Sequence, residues 1–126
     1  IMKNQEETNM KESNLIEKVE ILVKELTDSL HAAYKHTAND YYDFSVGKKY
    51  IKIISNGSQT SVWGFININE FTKERKMAKE IKRVTFKEGD VLMSAGWNTP
   101  ALNAPRGNLL KGYSAQGNMH GPSYLI

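Results

Sequence analysis

A leucine-rich stripe in the first third of the chain constrains the fold more than any other feature. Between residues 13 and 37, apolar side chains recur at steps of three or four, as one face of an α-helix requires, and the opposite face is charged. Ser13 precedes the stripe as an N-cap residue. The stripe predicts an amphipathic helix of about 25 residues, which packs either across a sheet or against its copy in a dimer. Its members are Leu15, Val19, Leu22, Leu26, Leu30 and Ala33, with Ile16 and Val23 beside them.

After the first 40 residues the apolar spacing changes to alternation, which is typical of β-strands. β-Branched and aromatic runs lie on both sides of Asn56-Gly57, a strong hairpin-turn sequence. Residues 41–68 therefore predict an antiparallel meander. Strict alternation places Trp63 and Phe65 on one face of the last strand, where we expect them to pack in the core beneath the helix.

The rest of the chain predicts shorter elements. The segment 69–83 is strongly basic and its apolar residues lack a clean period, so we predict a loop with a helical turn. Residues 91–93 predict a short strand, prolines and glycines interrupt the segment after Gly96, and residues 124–125 predict a final strand. These patterns together predict one oligomeric α+β domain. Residues 1–40 form a polar tail and a long helix, and residues 41–126 form a small antiparallel β core with C-terminal loops.

Charge is distributed unevenly along the chain. Residues 1–40 hold five Lys/Arg and eight Asp/Glu, a net of −3, and residues 41–126 hold twelve and six, a net of +6, which sum to the formal net charge of +3. The basic β core predicts an anionic ligand, either a small molecule or a polymer. The alternative is that the lysines only keep the surface soluble. An apolar content of 40% is slightly low for a compact monomer, which favours a partner subunit.

The sequence also excludes several kinds of site. It has no cysteine, and hence no disulfide framework, thiolate nucleophile or cysteine-ligated zinc. No apolar run reaches the ~20 residues of a membrane span, and the polar N-terminus lacks a signal-peptide segment, so we expect a cytoplasmic protein. The three histidines lack metal-ligand spacing, and Glu88 and Asp90 lack a partner carboxylate for acid–base chemistry. We therefore expect a binding protein with no catalytic residue, metal or cofactor.

Loops in the last third combine the side-chain types that hold nucleotides. Trp97 follows Gly96 on a small-residue loop, where its ring either fills the end of the core or stacks on a planar ligand. Arg106 stands beside Gly107, and its guanidinium either binds a pyrophosphate or braces the loops. Neighbouring amide and hydroxyl side chains either contact a base and ribose or shape their turns. The candidate ligand-binding residues are Trp97, Asn98, Thr99, Arg106, Asn108 and, in the basic segment, Arg75.

The region from Tyr50 to Leu125 also contains four short motifs. They are a Gly-Asp-Val segment, a Ser-x-x-Trp-x-x-Pro-Ala box, an Arg-Gly-Asn sequence and a terminal Gly-Pro-x-Tyr-Leu. Together they resemble a family of small phage-encoded proteins, in which Lys often follows the Trp; Asn98 stands there in this chain. The motifs are Gly89-Asp90-Val91, Ser94-Ala95-Gly96-Trp97-Asn98-Thr99-Pro100-Ala101, Arg106-Gly107-Asn108 and Gly121-Pro122-Ser123-Tyr124-Leu125.

The chain further resembles the Thoeris anti-defence sponges of phages in its size, its long N-terminal helix, its β core and its lack of catalytic residues. This resemblance implies a cytoplasmic protein of an infected bacterial host that binds a cyclic ADP-ribose isomer, an immune signal made by TIR-domain enzymes, and sequesters it without turnover. It implies that some members bind cyclic oligonucleotides, and that pockets are shared between subunits of a homodimer or higher homo-oligomer. We expect no membrane partner.

Two other functions stay open at this point. In the first, the chain is a nucleic-acid-binding phage accessory protein, in which the basic segment 73–83 follows the phosphates and Trp97 stacks on bases. In the second, it is a structural or host-protein-binding phage factor. Salt dependence separates the first from a small-ligand binder, because polymer binding with several phosphate contacts weakens steeply as salt rises.

Overall fold

The computed structural model describes the backbone of residues 2–113 and the side chains of residues 14–113 other than His36, Arg75 and Met77. One N-terminal helix packs against a four-stranded antiparallel sheet, and two small hairpins lie beside that sheet, so the α+β prediction is confirmed. The strand predicted at residues 124–125 lies outside the described residues. The helical elements are α1 (Met2–Ala33) and two 3₁₀ turns (Lys35–Thr37 and Leu109–Lys111). The strands are β1 (Tyr41–Val46), β2 (Tyr50–Asn56), β3 (Thr60–Asn67), β4 (Phe71–Met77), β5 (Glu80–Phe86), β6 (Val91–Leu92), β7 (Ser94–Gly96) and β8 (Thr99–Pro100).

The leucine stripe of α1 is buried against the sheet, as its spacing predicts. The helix begins at Met2, however, so the predicted N-cap at Ser13 is wrong. The residues before Ser13 include Glu, Lys, Gln and Met but no Gly or Pro, and such good helix formers continue the helix toward the N-terminus. At the other end α1 stops at Ala33, and a 3₁₀ turn replaces the last predicted helical turn. The fully buried members of the stripe, each at most 2% exposed, are Leu15, Val19, Leu22 and Leu26.

Strands β1, β2 and β3 form the predicted antiparallel meander, and β6 completes the sheet in the order β1-β2-β3-β6. Asn56 at the end of β2 faces Thr60 at the start of β3, so the Asn56-Gly57 sequence does lie in a hairpin turn. One face of the sheet is covered by α1. The base of the β4–β5 hairpin contributes to a second apolar cluster, which contains Phe65 of β3.

The edge strand β1 is bonded to side chains on its outer side. The N–H of Tyr42 donates to Thr27 Oγ1 of α1 at 2.9 Å, and the Thr27 hydroxyl in turn donates to the carbonyl of Val23 at 2.8 Å. Two residues further along, the N–H of Phe44 donates to Asp43 Oδ1 at 2.8 Å. The bond to Thr27 fixes α1 to the sheet, and both bonds occupy edge donors that a further strand would otherwise bind.

A β-bulge in β3 turns Trp63 toward the helix. Ile53 and Ile54 are adjacent in β2, but the residues that face them in β3 are two apart, so Trp63 lies between them as the extra residue. An extra residue reverses the alternation of side chains along a strand. Trp63 therefore joins the core beneath α1, whereas Phe65 packs in the second apolar cluster on the opposite face. The prediction that these two rings share a face is wrong for this reason.

Residues 71–86 form the β4–β5 hairpin, so the loop with a helical turn predicted over 69–83 is also wrong. The two seven-residue strands pair without a register shift, and the hydroxyls of Thr72 and Thr85 bond across them at 3.0 Å. The outer part of this hairpin is exposed on both faces, and it therefore has no apolar alternation to mark it as a strand.

Of the two alternatives for the leucine stripe of α1, the structure shows packing across the sheet of the same chain. Because the stripe is covered within one chain, the same residues are not accessible to a copy in this fold. Homo-oligomer formation stays a prediction. In the part of the chain that the structure describes, no helix has the length and apolarity that crossing a membrane requires.

Candidate functional site

Trp97 lies at the turn of the β7–β8 hairpin, and its ring does not fill the core. The side chain is 51% exposed. The hairpin is short, and it is held by the Ser94 hydroxyl, which donates to the carbonyl of Gly96 at 2.9 Å, and by the N–H of Ala101, which donates to the carbonyl of Met93 at 2.7 Å. Of the two alternatives for Trp97, the structure favours a ring that is accessible to a planar ligand.

Lys52 of β2 joins the sheet to this hairpin. Its Nζ lies 4.7 Å from the centroid of the Trp97 ring, which is a cation–π distance, and it donates a hydrogen bond to Asn98 Oδ1. In the sheet Lys52 faces Ser45 of β1 on one side and Phe65 of β3 on the other. A cation and an exposed aromatic face are therefore adjacent, although the two residues are 45 positions apart in the sequence.

A depression of about 280 Å³ adjoins this pair at the β1–β2 turn. Three lysines contribute to its lining, and among the lining residues that the structure describes none is acidic. The turn is closed by the N–H of Gly47, which donates to the carbonyl of Tyr50 at 2.9 Å. Such a concentration of ammonium groups favours an anionic ligand. The lining residues are Ser45, Gly47, Lys48, Lys49, Tyr50, Lys52, Phe65 and Asn98.

Tyr50 forms part of the wall and is fixed by two other aromatic rings. Its ring lies edge-on to Phe65, with centroids 6.0 Å apart, and edge-on to Phe71, with centroids 6.4 Å apart. Burial raises the pKa of the Tyr50 phenol above its ordinary value of 10.0. The phenol is therefore neutral at physiological pH, and it adds no charge that would oppose an anion.

Asn108 belongs to the framework of the loops. Its Nδ2 donates to the carbonyl of Glu88 at 2.8 Å and to Asp90 Oδ1 at 2.9 Å, and its Oδ1 accepts from the N–H of Leu110 at 2.9 Å. Asp90 is 5% exposed, and its other oxygen accepts from the N–H of Lys87 at 2.7 Å. Both polar atoms of the Asn108 side chain are thus engaged within the chain, which favours the turn-shaping alternative for this residue.

Arg106 lies on a segment that runs along the free edge of β6. Its N–H donates to the carbonyl of Val91 at 2.7 Å, and the N–H of Val91 donates to the carbonyl of Gly107 at 2.9 Å. The Nε atom of Arg106 is buried. These observations favour the loop-bracing alternative for the guanidinium over direct binding of a pyrophosphate.

The structure thus places the predicted site residues in three groups. Trp97, Asn98 and the exposed Thr99 lie together on the β7–β8 hairpin. Arg106 and Asn108 lie beside β6, and both residues are half-buried. Arg75 lies in β4, and its side chain is outside the described part of the chain.

Sequence reasoning missed Lys52, the cation that contacts Trp97. Lys52 alternates with Ile51 and Ile53 in β2, both of which are buried, and this pattern places Lys52 on the opposite face of the strand. That signal identifies an outward-facing cation on β2. The contact with Trp97 depends on the position of the β7–β8 hairpin, which no local pattern specifies.

In comparisons with known proteins, no family model matches the chain, and neither a curated protein nor a solved structure matches it. The candidate site is therefore interpreted from its own residues. Within the described residues, no group of three or more His, Asp or Glu side chains is arranged to hold a metal ion.

Proposed function

We propose that the protein binds and sequesters an anionic nucleotide signal, a cyclic ADP-ribose isomer or a related cyclic oligonucleotide, without degrading it. The observation that carries this proposal is the exposed Trp97 ring with Lys52 at 4.7 Å from its centroid, beside a depression lined by Lys48 and Lys49. A nucleotide offers a planar base and negative charge, which are the chemical counterparts of an aromatic face and ammonium groups.

The two kinds of contact differ in what they contribute. Stacking of a base on an aromatic side chain contributes about 1–3 kcal/mol. Lysine ammonium groups bind phosphates as point charges and attract them over longer distances. Lys52 contacts Trp97 through a cation–π interaction. A bound nucleotide would therefore place its base on the Trp97 ring and its phosphate near Lys52. Asn98 and Thr99 on the same hairpin offer polar groups for a base edge or ribose.

The depression on one chain is small for such a ligand. Its volume of about 280 Å³ is near the lower limit of the range of about 300–1,000 Å³ that is usual for small-molecule sites. In the homo-oligomer that the resemblance to the anti-defence sponges implies, one protomer would cover one side of the ligand and a second copy the other.

Replacing Trp97 with alanine tests the site. We expect binding of a cyclic ADP-ribose isomer, measured by isothermal titration calorimetry, to weaken between about 5-fold and 150-fold, because the variant cannot form a stacking interaction of about 1–3 kcal/mol. The melting temperature should change little, since the ring is 51% exposed. The matched control is Tyr34→Ala, which removes another exposed aromatic ring, one that precedes β1 at the end distant from the β1–β2 turn. Wild-type affinity in a folded Trp97→Ala variant would show that the ligand binds elsewhere.

Recovery of the ligand tests sequestration against turnover. The protein is incubated with a cyclic ADP-ribose isomer, denatured by heat, and the released nucleotide is analysed by chromatography. We expect the cyclic compound to return intact, because the proposed site supplies a ring and ammonium groups but no acid–base pair to cleave a bond. Linear ADP-ribose in excess of one equivalent per site would identify an enzyme and contradict sequestration.

A further inference from the structure

The outer part of the β4–β5 hairpin is exposed, in contrast to the base of the same hairpin. Every described side chain between Thr72 and Arg83 is exposed, whereas Phe86 at the base of the hairpin is fully buried in the second apolar cluster. The hairpin is therefore anchored at one end only. We refer to residues 72–83 as the basic ribbon.

The basic ribbon carries positive charge on both of its faces. Residues 72–83 contain six Lys/Arg and two Asp/Glu, a net charge of +4. One pair is neutralised, because the Nε of Arg83 lies 3.1 Å from Glu74 Oε1. By register, Arg75 stands directly opposite Lys82, and like charges at opposed positions destabilise an antiparallel pair. The remaining cations are Lys73, Arg75, Lys76, Lys79 and Lys82.

An apolar residue stands among these cations near the tip of the ribbon. Ile81 is 61% exposed and faces Lys76 across the two strands. Ile81 therefore adds an apolar group to a surface that is otherwise cationic. A partner that contacts the whole of this surface would combine high negative charge with accessible apolar groups.

We propose that the basic ribbon binds double-stranded DNA by entering the major groove, as a binding activity separate from the site at Trp97. The major groove is about 12 Å wide and admits a two-stranded β-ribbon. Cations on both faces of the ribbon would approach the phosphates on both sides of the groove. At about 3.3 Å per residue, residues 72–77 of the ribbon extend about 17–20 Å along it and residues 80–83 about 10–13 Å. Ile81 matches the thymine methyl group, which is the apolar feature of this groove.

The geometry of the ribbon distinguishes between polyanions. The major groove of A-form RNA is deep and narrow, so a ribbon does not enter it. Single-stranded nucleic acid is bound mainly by aromatic stacking, and the described side chains of the ribbon include no aromatic ring. An acidic polypeptide offers charge but no groove. The ribbon therefore favours a DNA duplex over these other polymers.

The test is fluorescence anisotropy of a labelled 20-base-pair DNA duplex, titrated with full-length protein at several KCl concentrations. The test variant is the triple replacement Lys73→Gln, Lys76→Gln and Lys82→Gln. We expect its affinity near 0.1 M KCl to fall by about tenfold or more, and the slope of log K against log[KCl] to decrease by about 0.9 for each phosphate that the variant no longer neutralises. Circular dichroism checks that the variant is folded, which we expect because the three side chains are exposed.

The matched control removes the same charge from other surfaces. Lys18, Lys35 and Lys111 are exposed lysines outside the ribbon, and replacing all three with glutamine should leave most of the duplex affinity in place. An equal loss in both triple variants would show an effect of net charge alone and overturn the proposal. No binding of the duplex by wild-type protein at 50 mM KCl would also overturn it, as would equal or tighter binding of an RNA duplex, a single strand or polyglutamate.

Two reciprocal measurements distinguish DNA binding at the ribbon from nucleotide binding at Trp97. Trp97→Ala should bind the DNA duplex as wild type does, and the ribbon variant should bind the cyclic ADP-ribose isomer as wild type does. Loss of duplex binding in Trp97→Ala would place the polymer at the β7–β8 hairpin and overturn the ribbon as its site. If the protein does not bind the cyclic nucleotide, the measurement of duplex binding by Trp97→Ala still tests the ribbon.

Discussion

Replacing Leu22 with alanine is expected to lower the free energy of unfolding by about 2–5 kcal/mol, the range for leucine-to-alanine changes in well-packed cores. Leu22 is 1% exposed and lies between α1 and the sheet, so truncation removes apolar packing and leaves a cavity. The matched control is its neighbour Ile21, which is 52% exposed on the other side of the same helix. Ile21→Ala should change the free energy by no more than about 0.5 kcal/mol.

Urea denaturation followed by circular dichroism measures both variants. The loss of stability in Leu22→Ala should be the same at low and high protein concentration, because the leucine stripe packs within one chain. A loss that depends on concentration would contradict this and show that the stripe contacts a second copy. Similar losses in the two variants would contradict the orientation of α1 on the sheet.

Replacing Gly107 with alanine is expected to lower the free energy of unfolding by about 2–6 kcal/mol. Its φ of +148° is rarely adopted by residues with a side chain, and the resulting strain costs about 1–3 kcal/mol. The added Cβ would also lie 2.6 Å from Cδ2 of Tyr113, which packs edge-on against Trp63 with centroids 6.3 Å apart. Displacing that ring adds an overpacking cost of about 1–3 kcal/mol.

Gly112→Ala separates the two contributions. Gly112 has a φ of +93°, but among the described residues, its chain neighbours apart, a Cβ there would meet no atom within 4 Å. This control should therefore show the backbone strain of about 1–2 kcal/mol without a steric clash. Thermal unfolding of the two variants, compared with wild type, measures the difference. If Gly107→Ala is no less stable than Gly112→Ala, the contact with Tyr113 does not constrain the loop.

The elements that the sequence predicts well are those with one buried face. The helix that contains Leu15 and Leu26 and the strands β1 and β2 each bury one side more deeply than the other, and such one-sided burial produces a regular apolar period. The β4–β5 hairpin has no such difference in burial between its two faces along most of its length, so its sequence lacks the apolar alternation that would identify the strands. The bulge at Trp63 makes the predicted faces of β3 wrong for another reason. Alternation of side chains assumes a hydrogen-bond ladder without extra residues.

The candidate site was predictable only in the residues of its hairpin, Trp97, Asn98 and Thr99. The composition of the loop identifies Trp97 as unusual, but its exposure depends on which parts of the chain cover the β7–β8 hairpin. The contact between Lys52 and Asn98 joins residues 46 positions apart, and it requires the complete fold. For Arg106 and Asn108 the residue types suit both a ligand and a turn, and only the hydrogen bonds of the folded chain separate these alternatives.

Both edges of the central sheet form hydrogen bonds within the chain, and these bonds oppose addition of a further strand. Outward-facing donors of β1 are held by Thr27 and Asp43, and β6 is flanked by the segment that carries Gly107. A strand from another molecule would have to displace these bonds before it could join the hydrogen-bond ladder. Growth of the sheet from one protomer into the next, the geometry of amyloid-like fibres, is therefore opposed at both ends. At the edges of this sheet, copies that associate would meet through side-chain surfaces, where the number of subunits is set by shape and charge.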